Sequence, residues 1–180
     1  MKPVVKTPHV VLVSPAKKID VVNSAVKTLI KDMKETLVAA DNPKGVGLAA
    51  TQIGVSQQVC IIRPVEDGPM EVFINPEIVK HSEELLNGIP GKGGKLEGCL
   101  SIPHVWGLVK RFKSITVKYM SESGKSHEKI FTDFPAIILQ HEIDHLNGIL
   151  FPRRVLEQKG QLYKPGVDDN GKEILEPLEL

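Results

Sequence analysis

Apolar side chains recur at Val26, Leu29, Ile30, Met33 and Leu37, the i, i+3, i+4, i+7 stripe of a helix with one buried face. Asn23 or Ser24 is placed to cap that helix, which should run to about Ala40 and stop at Asp41-Asn42-Pro43. Beyond it the period changes. Gln58-Val59-Cys60-Ile61-Ile62-Arg63 is an apolar run of strand length, and Val72-Phe73-Ile74 and Glu77-Ile78-Val79-Lys80 predict two short strands interrupted by Asn75-Pro76. Ser114–Met120 and Ser126–Phe131 alternate loosely around Glu122-Ser123-Gly124-Lys125, a hairpin signal. A second helix is predicted over roughly 133–147. Pro135 suits its first turn, Ile137, Ile138 and Leu139 supply apolar surface, and Asn147-Gly148 reads as its stop. Residues 1–21 are Pro- and Val-rich and read as an extended arm or surface loop. Residues 81–96 read as a long loop, and 152–180 as a polar tail with at most one weak strand. No repeat and no linker divides the chain, so a single compact α+β domain over 1–180 is expected, with 22–151 as its core.

Composition narrows the class without choosing a function. With 180 residues and 41% hydrophobic content there is enough to close one core. The 23 basic and 22 acidic side chains leave a formal net charge of +1, so no basic field invites nucleic acid. Aromatic content of 4% also argues against a base-stacking surface. Cys60 and Cys99 lie far apart, which allows one disulfide at most and makes a reducing cytosol the better expectation. The opening Met1-Lys2-Pro3-Val4-Val5-Lys6 lacks the marks of a signal peptide, and no apolar run approaches the roughly 20 residues of a bilayer span. A soluble, cytoplasmic protein with no membrane partner is expected.

The candidate chemistry sits on the second helix. Gln140-His141-Glu142-Ile143-Asp144-His145 contains HExxH, and i, i+4 histidines stack on one helix face, where both imidazoles can reach one metal ion. Glu142 stands about 100° round the helix, better placed as a base beside the ion than as a ligand. Two histidines are not a complete site, so a third ligand must come from elsewhere. Cys60, inside a strand, reads as a small buried hydrophobe, the usual fate of a free cysteine. Cys99, in Glu97-Gly98-Cys99-Leu100-Ser101, is the candidate for the missing ligand. Gly45-Val46-Gly47-Leu48-Ala49-Ala50 formally fits a dinucleotide fingerprint, but a helix precedes it and a strand follows, the reverse of what that motif needs. Its small residues point instead to a backbone that something approaches closely. Gln52 alone reads as an ordinary loop amide. Gly91-Lys92-Gly93-Gly94-Lys95 lacks the Ser or Thr and the spacing of a phosphate loop.

Three blocks stand in order: Gly45-x-Gly47-x-Ala49-Ala50-x-Gln52, Glu97-Gly98-Cys99-Leu100-Ser101, and Gln140-His141-Glu142-x-Asp144-His145-x-x-Gly148. Together, over about residues 23–151, they resemble the peptide deformylase family. That resemblance implies an α+β fold in which antiparallel β-sheets surround the central HExxH helix. It implies a hydrolase that removes the N-formyl group from formylmethionine on newly made polypeptides and releases formate. Cys99, His141 and His145 would be the metal ligands, with Fe²⁺ preferred and Zn²⁺ or Ni²⁺ as substitutes. Glu142 would shuttle the proton, and Gln52 with the backbone N–H of Leu100 would stabilise the oxyanion. Val46, Gly47 and Gly98 would hold the substrate as an added strand, with Ile137 and Ile138 bordering the methionine pocket. Nascent N-formylmethionyl chains are the implied partner, and a monomer is expected. Some features depart from the pattern. The arm matches only around Pro8 to Ile19, His104 and Trp106 replace the family's usual residues, and the loop at 81–96 is long. The tail is no basic helix for ribosomal RNA, so at most a transient ribosome contact is expected. Arg111 is expected to pair with Asp144 or Glu97. Two alternatives stay open: an HExxH zinc endopeptidase and a catalytically inactive metal-binding domain.

Overall fold

The first apolar stripe becomes helix α1 (Ser24–Ala39), whose Asn23 side chain accepts a hydrogen bond from the Val26 N–H. Its structure, a computed structural model, describes residues 1–40, 45–89 and 96–179, so the expected stop at Asp41-Asn42-Pro43 lies outside the described residues. Strands β1 (Gly47–Ala49), β2 (Val59–Ile62) and β3 (Glu71–His81) follow. Next come β4 (Leu85–Asn87), β5 (Glu97–Cys99), β6 (Ile102–Gly107) and β7 (Lys110–Phe112). Strands β8 (Ser114–Met120) and β9 (Ser126–Thr132) form the expected hairpin and lead into helix α2 (Asp133–Leu146). Helix α3 (Phe151–Glu157) and strands β10 (Leu162–Val167) and β11 (Glu173–Pro177) complete the chain.

All strand pairs are antiparallel, in a five-stranded sheet ordered β1-β2-β3-β8-β9, a four-stranded sheet ordered β11-β10-β6-β5, and the pair β4-β7. The larger sheet is buried on both faces at its β1–β3 end. Val59, Ile61, Val72 and Ile74 point to α1, while Cys60, Ile62 and Phe73 point to α2. That is why β2 reads as a continuous apolar run rather than an alternation. Helix α2 has an apolar sheet on one side and β5, with the smaller sheet, on the other.

Four expectations need correction. Asn75-Pro76 does not end a strand; β3 is continuous, and Asn75 takes φ +49° in a bulge where the register with β8 shifts. The arm is not a free surface segment. Leu12 and Ile19 are buried, the Ile19 N–H donates to Asn75 Oδ1 at 2.8 Å, and the Thr7 and Ala16 N–H groups donate to the Ser101 and Leu146 carbonyls. The loop at 81–96 contains β4, which pairs with β7, while the Gly- and Lys-rich part at 90–95 lies outside the described residues. The polar tail folds into α3 and two strands, not one weak strand; Phe151, Val155 and Leu162 close a third apolar cluster around Cys99.

Candidate active site

Helix α2 puts His141 and His145 one turn apart, with ring centroids 5.0 Å from one another. Strand β5 alternates inward, outward, inward, so Glu97 and Cys99 face α2 while Gly98 faces out. Cys99 Sγ thereby comes to 3.1 Å from His145 Nε2, and the ligand atoms of Cys99, His141 and His145 all lie within 4.8 Å of one another. Both cysteines are free thiols. Cys60 is sealed among apolar side chains, where burial holds its thiol well above the ordinary value.

A chain of charges orients this cluster from behind. Glu97 Oε2 lies 3.0 Å from His141 Nδ1, which leaves Nε2 as the nitrogen free to coordinate. Arg111 grips the Glu97 carboxylate from Nε at 2.9 Å and Nη2 at 3.0 Å, and its Nη1 donates to Asp144 at 2.5 Å. Arg154 completes the chain, donating to both Asp144 oxygens at 2.6 and 3.1 Å. Burial pushes the Glu97 carboxyl up, but the Arg111 charge and the bonds from His141 and Arg111 outweigh it and bring the pKa down to about 2. Arg111 therefore pairs with both residues expected of it. The contact of Glu97 with His141 and the part played by Arg154 were not foreseen. The signal for Glu97 was available, since it stands two residues from Cys99 on the same strand face.

The front of the site is a cavity of about 460 Å³. Of the predicted residues, Cys99, His141, Glu142, Gln52, Leu100, Val46, Gly47, Gly98, Ile137 and Ile138 line it; His145 is buried behind them. Phe134 also lines it, one turn before Ile137 and Ile138 on the same helical stripe, and was missed although that spacing shows it. Gln52 is oriented by the backbone three residues before it: its Oε1 accepts the Ala49 N–H at 2.8 Å, so its NH₂ turns to the cluster, 3.5 Å from Cys99 Sγ. Glu142 is buried against β1, and its Oε2 has no hydrogen-bond partner among the described residues. Burial raises its carboxyl to about 7 despite the lowering effect of His141. Burial, with help from His141 and Arg111, drives His145 well below its ordinary value, the neutral state a ligand needs. A Cβ at Gly47 would collide with Glu142 Oε1 and Ile138 Cγ2, which identifies the close approach read from the small residues of this stretch.

The family model described as polypeptide deformylase matches residues 1–161. The chain belongs to that family. A peptide deformylase of Pseudothermotoga lettingae is 45% identical over 141 residues, covering 78% of this chain and 75% of the relative. One from Aquifex aeolicus is 43% identical over 159 residues, covering 86% and 88%. Among solved structures, the peptide deformylase of Thermotoga maritima superposes with a TM-score of 0.76 at 34% identity, covering 86% of this chain and 97% of that one. The class I type b enzyme of Acinetobacter baumannii with Met-Ala-Ser bound gives 0.75 at 36%, covering 86% and 98%. As a member of that family the chain is a metal-dependent hydrolase that removes the N-formyl group from nascent polypeptides, and nothing favours the endopeptidase or inactive-domain alternatives. Among the described residues no helix is long and apolar enough to cross a membrane.

Proposed function

We propose that Cys99, His141 and His145 hold the metal, Fe²⁺ by preference with Zn²⁺ or Ni²⁺ as substitutes, and that Glu142, Gln52 and Leu100 carry out the chemistry around it. The donor set fits such an ion: one thiol and two imidazoles converge, and His141 Nδ1 is already occupied by Glu97. A divalent ion there supplies Lewis acidity that eases the ionisation of water and polarises the formyl carbonyl. Glu142 takes the proton of the attacking water and later gives it to the departing amine, and its Oε2, which has no hydrogen-bond partner among the described residues, is available for both steps. The Gln52 amide N–H and the backbone N–H of Leu100 stabilise the charge that develops on the formyl oxygen. Val46, Gly47 and Gly98 border the substrate backbone, and Ile137 and Ile138 border the unbranched methionine side chain.

The observation that carries this reading is the single cavity in which thiol, imidazole, carboxylate and fixed amide all meet an apolar wall. The family resemblance supports a cytoplasmic monomer that meets nascent chains with at most a transient ribosome contact. Formate release from a short N-formylmethionyl peptide, with enzyme loaded with Fe²⁺ without oxygen, tests the assignment. Release that Glu142→Ala loses while retaining its metal supports it; equal release by that variant removes Glu142 from the chemistry.

A further inference from the structure

A second depression, of about 820 Å³, lies beside the catalytic cavity, and Trp106 lines both. The strand register shows how they connect. Gly98 pairs with Trp106, Trp106 with Tyr163, and Pro165 with Leu175, so these residues share the outward face of the four-stranded sheet. At its β6 end the opposite face is turned to α3, where Gly107 and Leu162 meet Val155. Gly98 lets the Trp106 ring lie over β5, since a Cβ there would come within 3.0 Å of the indole nitrogen. Past Trp106 the groove is walled by Pro165, Val167 and Leu175, with His104 at one side and Glu173 at the end. Val167 and Leu175 are 60% and 47% exposed, a high value for apolar residues on paired strands. The hairpin β10–β11 that forms this wall lies beyond residues 1–161 matched by the family model.

We propose that this groove receives the polypeptide downstream of the formylmethionine and favours apolar side chains at its third to fifth residues. The proposal rests on the deformylase reading of the neighbouring cavity. Continuity through Trp106 identifies the occupant, because a chain leaving the catalytic cavity across Gly98 meets this surface next. The dimensions agree. Two inter-strand steps from Gly98 to Tyr163 and two residues along β10 reach Pro165 about 12 Å away, which about four extended residues span. Polypeptides with acidic residues at those positions gain no apolar burial and meet Glu173 at the far end.

The metal-loaded enzyme tests this with three substrates: formyl-Met-Ala, formyl-Met-Ala-Leu-Val-Leu-Ser and formyl-Met-Ala-Asp-Asp-Asp-Ser. The expected kcat/KM ratio of apolar to acidic hexapeptide is about tenfold, expressed in KM. In the double variant Val167→Ser, Leu175→Ser, which removes the apolar wall without adding charge, the ratio should fall to about two, the remainder coming from Glu173. Because the ratio is internal to each protein, a partly unfolded variant does not mimic the result. Trp106 is the chain's single tryptophan, so its fluorescence reports binding independently. The product Met-Ala-Leu-Val-Leu-Ser should shift it at about tenfold lower concentration in the parent than in the double variant. Equal ratios in the two proteins, or a groove occupied by a second copy that the variant dissociates in sedimentation, overturn the proposal. No formate from formyl-Met-Ala would instead sink the deformylase reading beneath it.

Discussion

Strands β2 and β5 each bring a buried cysteine to the neighbourhood of α2, and the two thiols have opposite characters. Cys60 is fully enclosed among Ala49, Ile62, Phe73 and Leu139, and burial with the nearby Glu142 charge keeps its thiol protonated. Cys99 is nearly as buried, yet His145 stands 3.1 Å away and the Gln52 amide donates to its sulfur. Burial alone thus does not decide what a cysteine does; the polar groups enclosed with it do. The two strands differ in what flanks them. Strand β2 is apolar on both faces, whereas β5 places Glu97 beside Cys99 and leaves glycine between them for the outer face.

The comparison breaks most sharply under Cys99→Ala. Loss of the proposed ligand should cost more than the about 10- to 100-fold drop in metal affinity typical of an outer partner, and turnover should vanish with the metal. Metal analysis after dialysis reads this directly, and a fully loaded Cys99→Ala protein would contradict it. Glu142→Ala should retain its metal and lose about 10²- to 10⁴-fold in kcat. Gln52→Ala should lose about 10²- to 10³-fold, also in kcat with metal retained; a change confined to KM would assign Gln52 to substrate binding instead. For Glu97→Ala the expected effect is about 10-fold weaker metal binding through the misoriented His141, with reduced stability because Arg111 keeps only Asp144 as partner. Smallest is Cys60→Ala. It should keep metal and activity and lower unfolding free energy by about 1 kcal/mol, measured by denaturant titration.

Helices α1 and α2 and the β8–β9 hairpin were legible because their patterns are local: a 3.6-residue stripe, an alternation and a turn. The arm was misread because backbone hydrogen bonds from Thr7 and Ala16 hold it, and these leave no trace in side-chain pattern. Strands β10 and β11 were hidden because their outward face carries Pro165, Val167 and Leu175 among charged neighbours. The site was legible in two parts. The His141 and His145 spacing states its own chemistry and points to Cys99 by lacking a third ligand, whereas Gln52 gained meaning only when the three blocks were seen together. The pairing of Arg111 was expected from the resemblance, whereas the contacts of Glu97 with His141 and of Arg154 with Asp144 join distant positions that no local motif encodes.

The central claim is that Cys99, and not Cys60, joins the two histidines at the ion. X-ray absorption of the zinc-loaded protein measures the ligand shell directly. One sulfur at about 2.3 Å with two imidazole nitrogens at about 2.0–2.1 Å is expected, and that sulfur should persist in Cys60→Ala. A shell of nitrogen and oxygen alone, or a sulfur that disappears with Cys60, would contradict it.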